Sequence, residues 1–235
     1  MKAFCLHKNL NKSSQKFYEK IMLFGYKTVI MNANRSIKGV HPMNLNSHLK
    51  MASKVMNLYI REQRFTERLA FLFGNIQPDI IGSFMFVPHS AQARGAAFEK
   101  RIKNCIDSIE NARHGGVYTN IKLGILCHFL ADFFCYAHNG GIPSSREHIG
   151  YEMAITKCLK AQSPIGAAVM LPSQRADKIL ENIWAAYEEY RSIPSTPERD
   201  IAYAVSLCAY LFGSADSIAR ESRFAGMLEP AAALS

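Results

Sequence analysis

Between residues 123 and 139 the chain reads LGILCHFLADFFCYAHN, an apolar run broken by His128 and Asp132. An isolated carboxylate is so costly to bury that buried charges are paired or bound to metal. The run is hydrophobic nearly all round, so as a helix of about residues 117–137 it belongs at the centre of a core. His128 and Asp132 are four apart and share one face of that helix, where both can converge on one ion. His138 falls at its end, beside the Gly140–Gly141 turn, and His148 and Glu152 repeat the four-residue spacing on the next helix. Each pair alone is a weak signal, because His-x₃-Asp is often a hydrogen bond and His-x₃-Glu a surface ion pair. Five such side chains around one turn point to bound metal, and imidazole nitrogen with carboxylate oxygen is a donor set that suits zinc.

From Asn44 onward the period is helical almost throughout, and no alternating β-branched stretch reads as a sheet. SHLKMASKVMNLYI places Leu49, Ala52, Val55, Met56 and Tyr59 on one stripe, with Ser47 as N-cap. FTERLAFLFGN makes a second helix ending near Gly74, where IQPD reads as a stop and Asp79 as a loop residue. A loop with Pro78, Gly82, Pro88 and His89 follows, then helices near 95–110, 117–137, 145–160, 173–192 and 198–221, with Ser144 or Ser145 capping the fifth. The expected architecture is a single all-α domain over residues 44–225, behind a basic N-terminal extension of residues 1–43.

Composition fits a folded protein: 49% hydrophobic and 20% charged residues argue against disorder. The formal net charge of +9 is uneven, since residues 1–40 carry eight basic residues against Glu19 alone, a net +7. Such an arm suits an anionic membrane surface or nucleic acid, although a solvated extension has the same composition. Six cysteines at 5, 105, 127, 135, 158 and 208 form no CxxC pair and read as reduced, buried small hydrophobes. Cys127 and Cys135 flank the His/Asp motif, but the nitrogen and oxygen donors already complete it. No export signal or bilayer-spanning segment is recognised, so the expected location is cytoplasmic, with membrane association through the arm.

Upstream, His48 follows Asn46–Ser47, and Asp79 and His89 flank an apolar stretch. The order NSHL, GNIQPD, a histidine, HFLADFFCYAH and HIGYE resembles the zinc-dependent phospholipase C family over roughly residues 44–160. The resemblance implies an all-α fold of the phospholipase C and single-strand nuclease type, with two to three zinc ions. It implies that Asp79, His89, His128 and Asp132 hold one ion. Asp132 would bridge to a second, helped by His48, and His138, His148 and Glu152 would hold the third. There are departures. His89 lies ten residues after Asp79, a shorter interval than in secreted members. Those members use an N-terminal tryptophan as a zinc ligand, whereas the single tryptophan here is Trp184 and 47 residues precede His48. That ion needs another ligand, such as His41, or trimming near residues 35–43, or its site is weak or empty. Choline-selective relatives carry an aromatic residue after the loop aspartate, where this chain has Ile80.

Metal ions clamping a phosphodiester would acidify water and stabilise the leaving oxygen, with Asp79 as ligand, general base or both. Asn139, Ser144 and Tyr151 are placed to support the ligands by hydrogen bonds. The leading expectation is a phospholipase C-like hydrolase acting on phospholipid. A nuclease or phosphomonoesterase could use the same site, but aromatic residues interleaved with basic ones, as stacking of bases requires, are few. A non-enzymatic, metal-stabilised helical module ranks below both, and no stripe signals an oligomer.

Overall fold

Burial decides the architecture. The computed structural model describes residues 45–59, 65–80, 90–111, 116–139, 145–160 and 175–228. Among these residues there are seven α-helices, one 3-10 turn and no strand. The helices are α1 (Leu45–Tyr59), α2 (Phe65–Ile80), α3 (Ala91–Glu110), α4 (Val117–Phe133), α5 (Ser145–Lys160), α6 (Ala176–Ser192) and α7 (Pro197–Leu228). The 3-10 turn, Tyr136–His138, lies between α4 and α5. All the described helices belong to one compact unit, His41–Ser235. The expected extension 1–43, with His41, and the loop carrying His89 lie outside the described residues.

Helix α4 is the axis of the fold: every residue from Leu123 to Phe133 is buried, as its all-round hydrophobicity demands. Its most extensive partner is α2, with α3, α7 and α1 around the rest. Two glycines set the α2–α4 approach. A Cβ on Gly74 would lie 2.2 Å from the Ile121 carbonyl oxygen, and one on Gly124 would lie 2.3 Å from that of Phe71. Only residues without a Cβ let the two backbones pack this closely.

Helix α7 is long and apolar enough over residues 197–222 to cross a bilayer by length and composition, a stretch the sequence reading did not single out. Of its most apolar 18-residue window 72% is buried within the fold, as for a core helix. Its start is well specified: Pro197 opens the helix, and the Arg199 N–H donates to Thr196 Oγ1 at 3.3 Å. The Arg199 guanidinium donates to the carbonyls of Tyr190, Ile193 and Pro194, tying the end of α6 to this start.

Four expectations need correction. Helix α2 does not stop at Gly74 but continues through Pro78 to Ile80, so Asp79 is a buried helical residue. Pro78 stands in the last turn, where its missing N–H costs a single bond to the Gly74 carbonyl. Ser47 is not a cap: α1 begins at Leu45, and the buried Ser47 hydroxyl shares a 2.6 Å hydrogen bond with Thr156 Oγ1 of α5. Helix α4 ends at Phe133 and not near 137, because the Asn139 amide takes the carbonyls of Phe133 (2.8 Å) and Cys135 (2.9 Å). Helix α7 runs to Leu228, past the expected end.

Candidate metal centre

Seven of the eight residues expected at the site are described, and the fold brings all seven together; the eighth, His89, lies outside the described residues. His48 comes from α1, Asp79 from the last turn of α2, and His128 and Asp132 from α4. His138 comes from the 3-10 turn, and His148 and Glu152 from α5. His48, His128 and Asp132 form one fully buried group able to hold a metal ion; His138, His148 and Glu152 form a second. Asp132 joins them, its Oδ1 lying 3.3 Å from His48 Nε2 and 3.8 Å from His138 Nε2. Asp79 borders the first group, with Oδ1 3.6 Å from His128 Nε2 and Oδ2 4.0 Å from His48 Nε2. The site opens on the side of the second group, where the His148 side chain keeps 28% of its surface exposed and His138 keeps 14%.

The orientation of His128 is decisive. Its Nδ1 lies 2.8 Å from the Asn75 carbonyl oxygen, which can only accept, so Nδ1 carries the proton. The other nitrogen, Nε2, then faces Asp132 Oδ2 at 3.1 Å and Asp79 Oδ1 at 3.6 Å. A lone pair aimed at two carboxylates is repelled unless a proton or a cation lies between them. A backbone carbonyl fixing one ring nitrogen while the other turns inward is how metal-binding histidines are usually held.

Donor spacing tests the fit to zinc. Two ligand atoms bound tetrahedrally at zinc distances stand about 3.4 Å apart. The separations run from 2.9 Å (His148–Glu152) through 3.1 Å (His128–Asp132), 3.3 Å (His48–Asp132) and 3.7 Å (His138–Glu152) to 4.0 Å (His48–Asp79), and bracket that value. Both ring nitrogens of His48 and Nε2 of His138 are buried without a hydrogen-bond partner, as expected of nitrogens that await a cation. The residues present therefore suit zinc.

Without metal, the electrostatics of the cluster are those of charges seeking a partner. Burial of Asp132 opposes its ionisation, but His128, His138 and His48 outweigh it and hold the carboxyl well below its ordinary range. Burial likewise opposes charging of His48 and His138; the carboxylates outweigh it, Asp132 foremost, and the pKa of each histidine is raised. Cys135 does not join the set, because burial and then the charges of Asp200 and Asp132 push its thiol well above its usual value. The groups able to hold metal among the described residues contain no cysteine.

The expected supporting residues behave differently. Asn139 caps the end of α4, and its Oδ1 accepts from the Tyr187 hydroxyl at 2.8 Å. The Tyr151 hydroxyl turns away from the ligands to Asp200 Oδ2, 2.8 Å off. Ser144 lies outside the described residues. Sequence reasoning missed Asn75, which acts through its backbone and leaves no side-chain signature. It also missed the Gly74–Gly124 contact, for which two glycines inside helical apolar patterns were the available signal.

A buried His/Asp/Glu cluster joined through one carboxylate and open at one end is what a hydrolase with more than one metal ion requires. Residues 47–198 match the family described as zinc dependent phospholipase C. The chain belongs to that family, and with it come the all-α fold, zinc and the hydrolase class. No curated protein and no solved structure matches the chain.

Proposed function

We propose that this chain hydrolyses phospholipids, releasing diacylglycerol and a phosphorylated head group. The observation that carries the reading is the joining of two ligand groups by the buried Asp132 in a chain of this family. Asp79, His128 and Asp132, with His89 as a further candidate ligand, would hold one inner ion; Asp132 and His48 would share a second; and His138, His148 and Glu152 would hold the outer one. Two to three zinc ions correspond to these positions. Zinc bound there supplies Lewis acidity toward the phosphoryl oxygens and lowers the pKa of water.

The chain's own residues do the rest. Asp132 sets the spacing between the inner and outer groups, and Asn75 keeps the His128 ring in register through its carbonyl. The partly exposed edge at His138 and His148 admits the phosphodiester. Asp79, at the inner wall, also accepts a proton from the attacking water. The water oxygen bonds to phosphorus, the bond from phosphorus to the glycerol oxygen breaks, and that oxygen takes up the proton that Asp79 releases, leaving as the diacylglycerol hydroxyl. The net +7 of residues 1–40 draws the protein to anionic vesicles, an attraction that salt weakens.

Zinc-loaded protein incubated with mixed phosphatidylcholine, phosphatidylethanolamine and phosphatidylglycerol vesicles tests the reading. Water-soluble phosphorus and diacylglycerol should appear in equal amounts. Their absence rejects the proposal, and degradation of single-stranded DNA at a matching rate assigns the site to a nuclease instead.

A further inference from the structure

Asp200 lies two residues beyond the segment that matches the family, and the ligand set does not include it. It stands in the first turn of α7 with 1% of its surface exposed. Three donors converge on its carboxylate. Oδ2 accepts from the Tyr136 backbone N–H at 2.8 Å and from the Tyr151 hydroxyl at 2.8 Å; Oδ1 accepts from the Tyr190 hydroxyl at 2.8 Å. Tyr136 opens the three-residue turn that ends in His138. Tyr151 immediately precedes Glu152 on α5 and follows His148 by three residues. One buried carboxylate thus holds both elements that carry the outer ligand group. Tyr190 belongs to α6, which carries no candidate ligand, so the third bond anchors Asp200 without touching the site.

We propose that Asp200 is the positioning residue of the outer metal group, fixing His138 relative to His148 and Glu152 by gripping Tyr136 and Tyr151 at one atom. This rests on the metal centre proposed above. The 3-10 turn has few constraints of its own. His138 N–H bonds to the Cys135 carbonyl at 3.0 Å, and Asn139 caps the carbonyls behind it. Neither contact relates the turn to α5. The carboxylate does, because its Oδ2 receives one bond from each element. Burying a carboxylate is costly unless it is hydrogen-bonded, and three donors offset much of that cost, although burial still leaves its pKa raised.

Equilibrium zinc binding at buffered free zinc, with calorimetric unfolding of each metal-free variant, separates positioning from plain stability. Supporting hydrogen bonds to metal ligands are worth about 10–100-fold in metal affinity. Asp200 acts one bond further out, through Tyr136 and Tyr151, so Asp200→Ala should weaken the outer zinc by up to about that factor while inner zinc is retained. Tyr151→Phe, which cuts the bond to α5 alone, should weaken it about tenfold. Tyr190→Phe removes an equivalent bond to the same carboxylate from α6; it should lower the unfolding temperature similarly and leave zinc affinity unchanged. Asp200→Asn should rescue most of the affinity, since its oxygen can accept from Tyr136 and Tyr151 while its amide donates to Tyr190. Equal losses of zinc affinity in Tyr151→Phe and Tyr190→Phe, or no loss in either, would overturn the proposal. If Asp200→Ala does not fold, the two tyrosine variants still decide. Wild-type protein that binds no zinc fails the metal centre itself, a result distinct from a wild type that binds zinc and variants that do not differ.

Discussion

Replacing Gly124 by alanine puts the α2–α4 contact to a quantitative test. The new Cβ would sit 2.3 Å from the Phe71 carbonyl oxygen and 2.8 Å from the Asn75 nitrogen, both backbone atoms that cannot rotate aside. Relief requires the two helices to part by about 1 Å, the difference between that clash and ordinary van der Waals contact. The His128 Nδ1 to Asn75 oxygen distance, now 2.8 Å, would then open beyond hydrogen-bonding range. Overpacking of this kind costs about 1–3 kcal/mol, and stranding the buried Nδ1–H costs roughly another 1–3 kcal/mol. Alanine recovers about 1 kcal/mol of helix propensity over glycine. The metal-free variant should therefore be less stable by roughly 1–5 kcal/mol. Its zinc affinity should fall about 10–100-fold through the freed His128 ring. Gly150→Ala is the control: nothing lies within 4 Å of a Cβ there, so it should stabilise the protein by up to about 1 kcal/mol. Urea unfolding of the metal-free proteins and zinc competition with a fluorescent chelator supply both readings. A Gly124→Ala protein as stable as wild type, with zinc affinity intact, would refute the claim that close helix approach sets the His128 ring.

Two other outcomes follow from the same cluster. The raised values of His48 and His138 give the metal-free protein stability that is fully present below the unfolded value of 6.5 and lost as pH rises through the folded values; the depressed value of Asp132 gives stability lost only well below 3.8. Metal-free protein should thus unfold at a lower temperature at pH 8.5 than at pH 5.5, and zinc should restore more at pH 8.5. A calorimetric trend in the opposite direction contradicts the assignment. Asp132→Asn leaves the surrounding histidines without their shared anion. It should reduce the bound zinc per chain and cut lipid hydrolysis by at least about a hundredfold, measurable by elemental analysis and released phosphorus. Full zinc occupancy with unaltered turnover would remove Asp132 from the joining role.

How much of this was legible depends on where the information resides. His128, Asp132, His148 and Glu152 announced themselves because a period of four puts a donor pair on one helix face, and because His128 and Asp132 interrupt an apolar run. The depth of α4 was legible for the same reason. Asp79 was named as a candidate but placed in a loop, because Pro78 reads as a stop; a proline in a final turn sacrifices one bond and the helix tolerates it. Ser47 looked like a cap, yet its hydroxyl serves a partner 109 residues away, which local pattern cannot show. The role of Asn75 belongs to a carbonyl that every residue has. Asp200 resembles an ordinary acidic first-turn residue, and only its burial against Tyr136, Tyr151 and Tyr190 sets it apart.

The uneven exposure of the two ligand groups has a kinetic consequence. A chelator in solution can reach His148 directly, but His48, His128 and Asp132 present essentially no surface to it. Metal held by the outer group can therefore be stripped from the folded protein one ligand at a time. Metal at the inner group must wait for α1 or α2 to lift from α4, a local opening that costs part of the protein's own stability. Extraction by a chelator should accordingly be biphasic, with a slow phase that urea accelerates and chelator concentration does not. An ion held by the inner group would then be an integral part of the folded bundle, enclosed when the helices close, while one held by the outer group would exchange with its surroundings throughout the life of the protein.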